Sequence, residues 1–138
     1  MTASELLSKI ASVKASVRAA GYTGPVTTAE PPSSFIDNPS LCTSSTLDLV
    51  GINAHSYFDP NTTPAQCGSF VLNQISITKS ACGGKAVFVT ESGYPHKGIT
   101  NGGNVPSYDN QRIALTSLFQ ATQGYVTLFT YTDGTFTS

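Results

Sequence analysis

Residues 85–98 read KAVFVTESGYPHKG, and this stretch decides the predicted fold. A short apolar run ends at an acid, Glu91, which is followed by a small residue, an aromatic residue and a proline. A continuous apolar run bounded by turn residues is typical of a strand buried on both faces of a parallel sheet. The Glu91 carboxylate is therefore predicted at the carboxyl end of that strand, where parallel α/β proteins carry their chemistry.

Strand-like and helix-like segments alternate along the rest of the chain. The pattern predicts strands at Pro25–Ala29, Leu47–Ala54, Lys85–Glu91 and Tyr125–Asp133. It predicts helices from Thr2 or Ser4 to Gly21, over residues 65–81, and over residues 111–121 with Ser107 and Asp109 as its start residues. Such alternation favours a parallel sheet with helices packed on its faces. We therefore predict a single α/β domain over residues 1–138, built on four parallel strands.

The composition excludes several classes of function. A net charge of −1 gives no electrostatic reason to expect a nucleic acid or an anionic membrane as partner. No apolar run approaches the roughly 20 residues of a membrane span, and no His or Cys pattern fits a zinc site. We expect no cofactor and no metal. Charged residues are 11% of the chain, and this low share, with abundant Ser and Thr, indicates a secreted, extracellular protein.

Three cysteines are present, Cys42, Cys67 and Cys82. Cys67 and Cys82 flank the predicted helix over residues 65–81, and we predict a disulfide between them. Cys42 is then free or paired with a partner outside this sequence. The alternative is that all three cysteines are buried, reduced thiols.

Polar side chains occur at the carboxyl ends of all four predicted strands: Glu30, Asn53 with His55, Glu91 and Asp133. The chain has eight acids in all, so three of them at strand ends is an unusual concentration. Paired carboxylates at the mouth of a barrel indicate glycoside hydrolysis, in which one is the nucleophile and the other the acid/base. The alternative is that these residues cap loops or neighbouring helices.

The segment VFVTESGYPHKG resembles the nucleophile strand of glycoside hydrolase family 17, which acts on β-1,3-glucans in plants and fungi. The segments DLVGINAHSYFD, NVPSYDNQRIALTSLF and YVTLFTYTD resemble the sixth strand, the helix after the nucleophile and the eighth strand of fungal cell-wall members. The first 30 residues resemble the fourth helix and fifth strand. The resemblance therefore implies half of a (β/α)8 TIM-type barrel, from strand five to strand eight.

The resemblance also implies roles for individual residues. Glu91 matches the retaining nucleophile, and Tyr94 stands where the family usually has Trp. Four further residues, Asn53, His55, Tyr57 and Phe58, match cleft positions that bind the sugar. Asp133 matches an acid near the nucleophile, although the family continues there with an aromatic residue and a lysine, whereas this sequence continues GTFTS. Glu30 falls where fungal members often have Asp.

The family's acid/base motif has no match in this sequence, since it belongs to the fourth strand. We therefore expect a β-1,3-glucan hydrolase or transglycosylase whose activity is impaired. Glu30 and Asp133 are the candidates for a supporting carboxylate, and Glu30 would come from a different strand than the family's acid/base. The alternative is a truncated family member that binds glucan, or is recognised by a host, without turnover. A half-barrel exposes sheet edges at residues 25–29 and 126–132, and such edges favour pairing with a second copy. We expect a homodimer.

Overall fold

The computed structural model describes residues 1–130. It divides into two compact units, of which the first holds Met1–Asn53 and Ile75–Phe88, and the second holds Ala54–Gln74 and the residues from Val89 onward. No helix within the described range is long and apolar enough to cross a membrane.

Five α-helices, two 3₁₀ helices and three strands are present in the described residues, and the 3₁₀ helices are Ser56–Phe58 and Pro64–Gln66. The helices are α1 (Ala3–Ala19), α2 (Pro32–Asp37), α3 (Ser40–Thr43), α4 (Cys67–Ala81) and α5 (Tyr108–Thr122), and the strands are β1 (Ala29–Glu30), β2 (Val50–Asn53) and β3 (Val87–Glu91). The strands form one parallel sheet in the order β1–β2–β3. The predicted α/β class is confirmed in this coarser form, as a three-stranded parallel sheet with helices.

The N-caps of the two long helices α1 and α5 are among the helix-start residues that the sequence predicts, although α5 begins at Tyr108, ahead of the predicted residues 111–121. Thr2 accepts a hydrogen bond from the Glu5 backbone and the Glu5 carboxylate accepts one from the Thr2 backbone, which completes a capping box at α1. Ser107 accepts from the Asn110 backbone and caps α5 in the same way.

The first strand is shorter than predicted because side chains replace part of its backbone ladder. The Thr27 hydroxyl donates to the Leu49 carbonyl at 2.7 Å and accepts from the Gly51 N–H at 3.1 Å. The Val26 N–H donates to Asp48 Oδ2 at 2.8 Å. Regular pairing is therefore confined to the two residues of β1, which are in register with Gly51 and Ile52.

Asp48 also ties α1 to the segment before β2. Its carboxylate lies 2.6 Å from Lys14 Nζ and 3.2 Å from an Arg18 nitrogen. These hydrogen bonds, first that of Lys14 and then that of the Val26 N–H, hold the pKa of Asp48 below its ordinary value. The first unit therefore fixes its helix to its sheet partly by charge, beside a core of buried apolar side chains: Ile10, Phe35, Leu41, Leu47, Val50 and Ile52.

The predicted disulfide between Cys67 and Cys82 is wrong. Cys42 is bonded to Cys82, and Cys67 is a buried free thiol. Cys67 begins α4 and Cys82 directly follows its end. A helix of 15 residues separates its ends by roughly 20 Å, whereas a disulfide needs Cα atoms about 4.4–6.8 Å apart. Cys42 comes from α3, and its Cα lies 5.2 Å from that of Cys82.

The predicted fourth strand is seen as a single parallel bridge between Ser92 and Leu128. Around it the Thr127 N–H donates to the Val89 carbonyl, the Ser92 N–H to the Thr127 carbonyl and the Phe129 N–H to the Ser92 carbonyl, at 3.3, 3.0 and 2.9 Å. The part of the predicted strand that the structure describes thus runs alongside the end of β3. Its last residues, including Asp133, lie outside the described residues.

Candidate active site

A cleft with a volume of about 680 Å³ lies within the second unit, at the carboxyl end of β3. Glu91 is the last residue of β3, and it is the one carboxylate among the described residues that line the cleft. The remaining lining residues are mostly aromatic or apolar: His55, Tyr57, Phe58, Gly93, Tyr94, Pro95, His96, Lys97, Gln111, Leu115, Leu128, Phe129 and Thr130.

His55 is the charged or titratable side chain that the structure places beside Glu91. Its Nε2 lies 3.7 Å from Glu91 Oε2, and the exposed fractions of the two side chains are 18% and 37%. Glu91 ends β3 and His55 lies just after β2. The Ala54 N–H donates to the Glu91 carbonyl at 2.9 Å and thereby aligns the residues after β2 with the end of β3. The sheet register therefore brings these two predicted site residues together.

The surroundings of His55 favour a neutral imidazole. Burial lowers the pKa of His55, and the nearby negative charge of Glu91 opposes that change without overcoming it. The ring lies edge-on to two phenylalanine rings, Phe58 at 6.0 Å and Phe129 at 6.4 Å between centroids. An apolar enclosure of this kind disfavours the charged form of a histidine.

Aromatic side chains form much of the cleft wall. Tyr57 lies edge-on to Phe58 at 5.4 Å and to Tyr94 at 5.8 Å. Phe58 is 72% exposed, whereas Tyr94 is 4% exposed, so Phe58 offers a free ring face and Tyr94 supports the wall. Burial raises the pKa of the Tyr94 phenol, and the neighbouring Tyr57 and Cys67 raise it further. Tyr94 therefore stays protonated at neutral pH.

Several residues that shape the cleft were not identified from the sequence. Asn104 is fully buried and donates to the carbonyls of Asp59 and Ser56 at 2.9 and 3.4 Å. Asn101 donates to the Tyr57 carbonyl at 2.9 Å, and Gln111 donates to the Tyr94 carbonyl at 2.8 Å. These amides fasten the loop after β3 and the first turns of α5 to the cleft wall. The repeated Asn and Gly residues in NGGN were the signal in the sequence.

Gly93 allows the backbone after Glu91 to approach the last described segment. A Cβ at this position would lie 2.3 Å from the Phe129 carbonyl oxygen, which is far inside the distance that real atoms tolerate. The glycine in the ESG sequence therefore lets Phe129 reach the cleft.

Two other predicted site residues belong to the first unit. Glu30 ends β1, where its carboxylate accepts a hydrogen bond from the Thr28 hydroxyl at 3.2 Å, and Asn53 ends β2. Their predicted roles in catalysis and sugar binding stay predictions. Among the described residues, no group of three His, Cys, Asp or Glu side chains could hold a metal ion.

A strand-end carboxylate in an aromatic cleft, within a parallel α/β fold, is one feature that glycoside hydrolases share. A family model described as the BtgE/BtgC glycoside hydrolase domain matches residues 1–138, and the chain belongs to that family. The resemblance to glycoside hydrolase family 17 is confirmed by this match together with relatives that carry that family's name.

Individual relatives agree with this assignment. The chain is 42% identical over 130 residues to the probable family 17 glucosidase SCW4 of Saccharomyces cerevisiae, and 38% identical over 130 residues to the cell surface mannoprotein MP65 of Candida albicans. Each alignment covers 94% of this chain but 33% and 34% of the relative. The chain therefore spans about a third of the length of these proteins.

A solved structure gives the same result for the fold. The crystal structure of a family 17 β-1,3-glucanosyltransferase from Rhizomucor miehei superimposes with a TM-score of 0.77 at 25% identity. The match covers 93% of this chain and 46% of that chain. This chain thus corresponds to just under half of the length of that enzyme.

Proposed function

We propose that this chain carries the nucleophile, Glu91, of a retaining β-1,3-glucan hydrolase or transglycosylase. The observation that supports this most strongly is the position of Glu91, which ends β3 inside the cleft with its side chain 37% exposed. In the retaining reaction the carboxylate attacks the anomeric carbon and the glycosidic bond breaks, which leaves a glycosyl ester. Water or the hydroxyl of a second sugar then bonds to the same carbon and gives up its proton, and the bond to the Glu91 carboxylate breaks.

The cleft chemistry fits a glucan as substrate. Sugar rings pack their apolar faces against aromatic side chains, and Phe58 and Tyr57 offer such faces beside Glu91. His55 and Gln111 supply polar atoms in the same cleft. We assign the sugar-binding role to Tyr57 and Phe58, with the buried Tyr94 supporting them from behind.

Turnover of unactivated glucan by this chain alone is proposed to be slow. Retaining enzymes need a second carboxyl group roughly 5–5.5 Å from the nucleophile, and Glu91 is the one carboxylate among the described cleft residues. Loss of a general acid costs on the order of 10²–10⁴-fold in rate. Glu30 and Asp133 are the candidates within this sequence for a supporting carboxylate.

The test compares a natural and an activated substrate. A dinitrophenyl β-glucoside has a leaving group that departs without protonation, so the chain is expected to release dinitrophenol faster than it cleaves laminarin. Glu91→Gln should abolish both activities, whereas Glu30→Gln should slow laminarin cleavage more than dinitrophenol release if Glu30 protonates the leaving group. Turnover that survives Glu91→Gln contradicts the proposal.

Azide identifies the role of Glu91 more directly. In Glu91→Ala the small anion can enter the space of the missing carboxylate and attack the anomeric carbon from the same side. The product is an α-glucosyl azide, because one displacement inverts the configuration. A β-glucosyl azide would instead show that Glu91 acts as acid/base, and that result contradicts the assignment.

The alternative function is glucan binding without turnover, and the aromatic cleft favours it in its own right. Calorimetric titration with laminarin oligosaccharides distinguishes the two. Binding by a chain that releases no dinitrophenol would assign the cleft to recognition.

Location and assembly are proposed on two further observations. The Cys42–Cys82 disulfide fits an oxidising compartment, and one relative is a cell surface mannoprotein, so we propose that the protein lies at the cell surface.

The proposed dimer rests on the sheet edge. β1 is an edge strand in the described sheet, and edge strands favour pairing with a second copy. Light scattering should then give a dimer mass; a monomer at micromolar concentration contradicts this.

A further inference from the structure

We propose that His55 is a positioning residue for Glu91, with its Nε2–H directed at Glu91 Oε2 by a clamp formed by Phe58 and Phe129. This inference rests on the proposed function, because it assumes that Glu91 is the nucleophile. It assigns His55 to the carboxylate rather than to the sugar, and so replaces the role that the sequence resemblance implies for this residue.

The geometry of the ring carries the inference. Phe58 and Phe129 meet the imidazole edge-on, at interplanar angles of 71° and 84°. The two phenylalanines come from different segments, the turn after β2 and the segment beside β3. Each segment is held in place by backbone hydrogen bonds, namely Ala54 N–H to Glu91 and Phe129 N–H to Ser92, both at 2.9 Å.

A neutral histidine suits this role better than a charged one. The Nε2 to Oε2 distance is 3.7 Å, slightly longer than a hydrogen bond, and such contacts in free enzymes commonly tighten when substrate binds. A neutral donor orients one carboxylate oxygen and leaves the other free to attack. An imidazolium would pair fully with Glu91 and weaken it as a nucleophile.

Four other titratable groups line the same cleft: Tyr57, Tyr94, His96 and Lys97. Tyr94 stays protonated at neutral pH because its pKa is raised. The His96 ring stacks on the Tyr108 ring of α5, with 4.4 Å between the two ring centroids. Glu91 is therefore the one anionic group among the described cleft residues that can act on the His55 ring.

The first test reads the His55–Glu91 contact without any activity. The chain has two histidines, so nitrogen-detected NMR of the imidazoles, with His96→Gln to assign the signals, follows His55 through a pH titration. His55 should titrate below its ordinary pKa of 6.5, with the proton of its neutral form on Nε2. In Glu91→Gln its pKa should fall further, because the opposing carboxylate charge is gone.

The matched control for this titration is Asp37→Asn, which removes an exposed carboxylate from α2 and should leave the His55 titration unchanged. An equal response to Glu91→Gln and Asp37→Asn overturns the inference. So does a neutral form of His55 with its proton on Nδ1, because Nε2 could not then donate to Glu91.

The second test uses a pair of variants at the same position. His55→Phe keeps the ring and its packing on Phe58 and Phe129 but has no N–H, and His55→Gln places an N–H near the position of Nε2. On a dinitrophenyl β-glucoside we expect His55→Phe to lower kcat by about ten- to hundredfold with KM changed less than about threefold. His55→Gln should keep most of the wild-type kcat, because its amide N–H can take the place of Nε2–H.

The outcomes separate this inference from the proposed function. A rise in KM at unchanged kcat in both variants would assign His55 to the sugar and overturn the positioning role. Turnover that persists in Glu91→Gln would overturn the proposed function, and the NMR titration would still report whether His55 and Glu91 interact.

Discussion

The Cys42–Cys82 disulfide makes a quantitative prediction about the stability of the first unit. We consider three variants, Cys42→Ala, Cys82→Ala and Cys67→Ala. The first two break the bridge, and the third removes a free thiol that is fully buried. Since burial raises the pKa of Cys67, this thiol stays protonated and is a poor partner for exchange.

The size of the effect follows from the length of the closed loop. The bridged cysteines are 40 residues apart, and in the chain-entropy model a loop of that length is worth about 4 kcal/mol at room temperature. With a urea dependence of about 2 kcal/mol per molar, breaking the bridge should lower the unfolding midpoint by about 2 M. Cys67→Ala removes a small buried side chain and should cost about 1 kcal/mol.

The assay is urea unfolding followed by circular dichroism, with and without a reductant. The wild type and Cys67→Ala should each lose stability when reductant is added, and Cys42→Ala and Cys82→Ala should not respond. If instead Cys67→Ala were the variant that no longer responds to reductant, the Cys42–Cys82 pairing would be refuted. Peptide mapping without reduction checks the pairing directly.

Two further predictions concern single contacts. Gly68→Ala should destabilise the chain by about 1–3 kcal/mol, because a Cβ there would lie 2.3 Å from the Ser117 carbonyl oxygen. Thermal unfolding measures this loss, and Ser69→Ala, at the exposed neighbouring residue, is the control. Asp48→Asn should change the acid side of the stability profile. The pKa of Asp48 is lowered in the folded state from 3.8, so its stabilisation is present above that value and is lost as pH falls through the folded pKa. Urea midpoints from pH 6 to pH 2 should therefore fall less steeply in Asp48→Asn than in the wild type.

The elements that depend on local signals could be predicted from the sequence. Thr2 and Ser107 cap α1 and α5 as expected, because an N-cap needs a hydroxyl and a helix-forming run directly after it. The end of β3 at Glu91 also agrees with the prediction, since an apolar run that stops at a charge and a glycine marks its own boundary.

Features that depend on distant contacts could not be predicted in the same way. The predicted first strand begins at Pro25, but regular strand pairing begins only at Ala29. The reason is that the Thr27 hydroxyl forms hydrogen bonds with residues 49 and 51, and no local sequence pattern reveals these bonds. The disulfide partner of Cys82 comes from α3, a helix too short to be identified with certainty from periodicity.

The candidate site was partly predictable for the same reason. Glu91 and His55 were both identified as strand-end residues, and the parallel register of β2 and β3 brings them together. The clamp of His55 by Phe129 could not be foreseen, because it depends on the close approach that Gly93 allows.

The central claim is that Glu91 is the nucleophile, and trapping its glycosyl ester tests this most directly. A 2-deoxy-2-fluoroglucoside with a dinitrophenyl leaving group forms the ester but releases it slowly, since the fluorine destabilises the transition state for its breakdown. Mass spectrometry should find one sugar on the peptide that contains Glu91, and none on the Glu91→Gln chain. A sugar on any other residue, or a chain that releases dinitrophenol while remaining unmodified, would contradict the account.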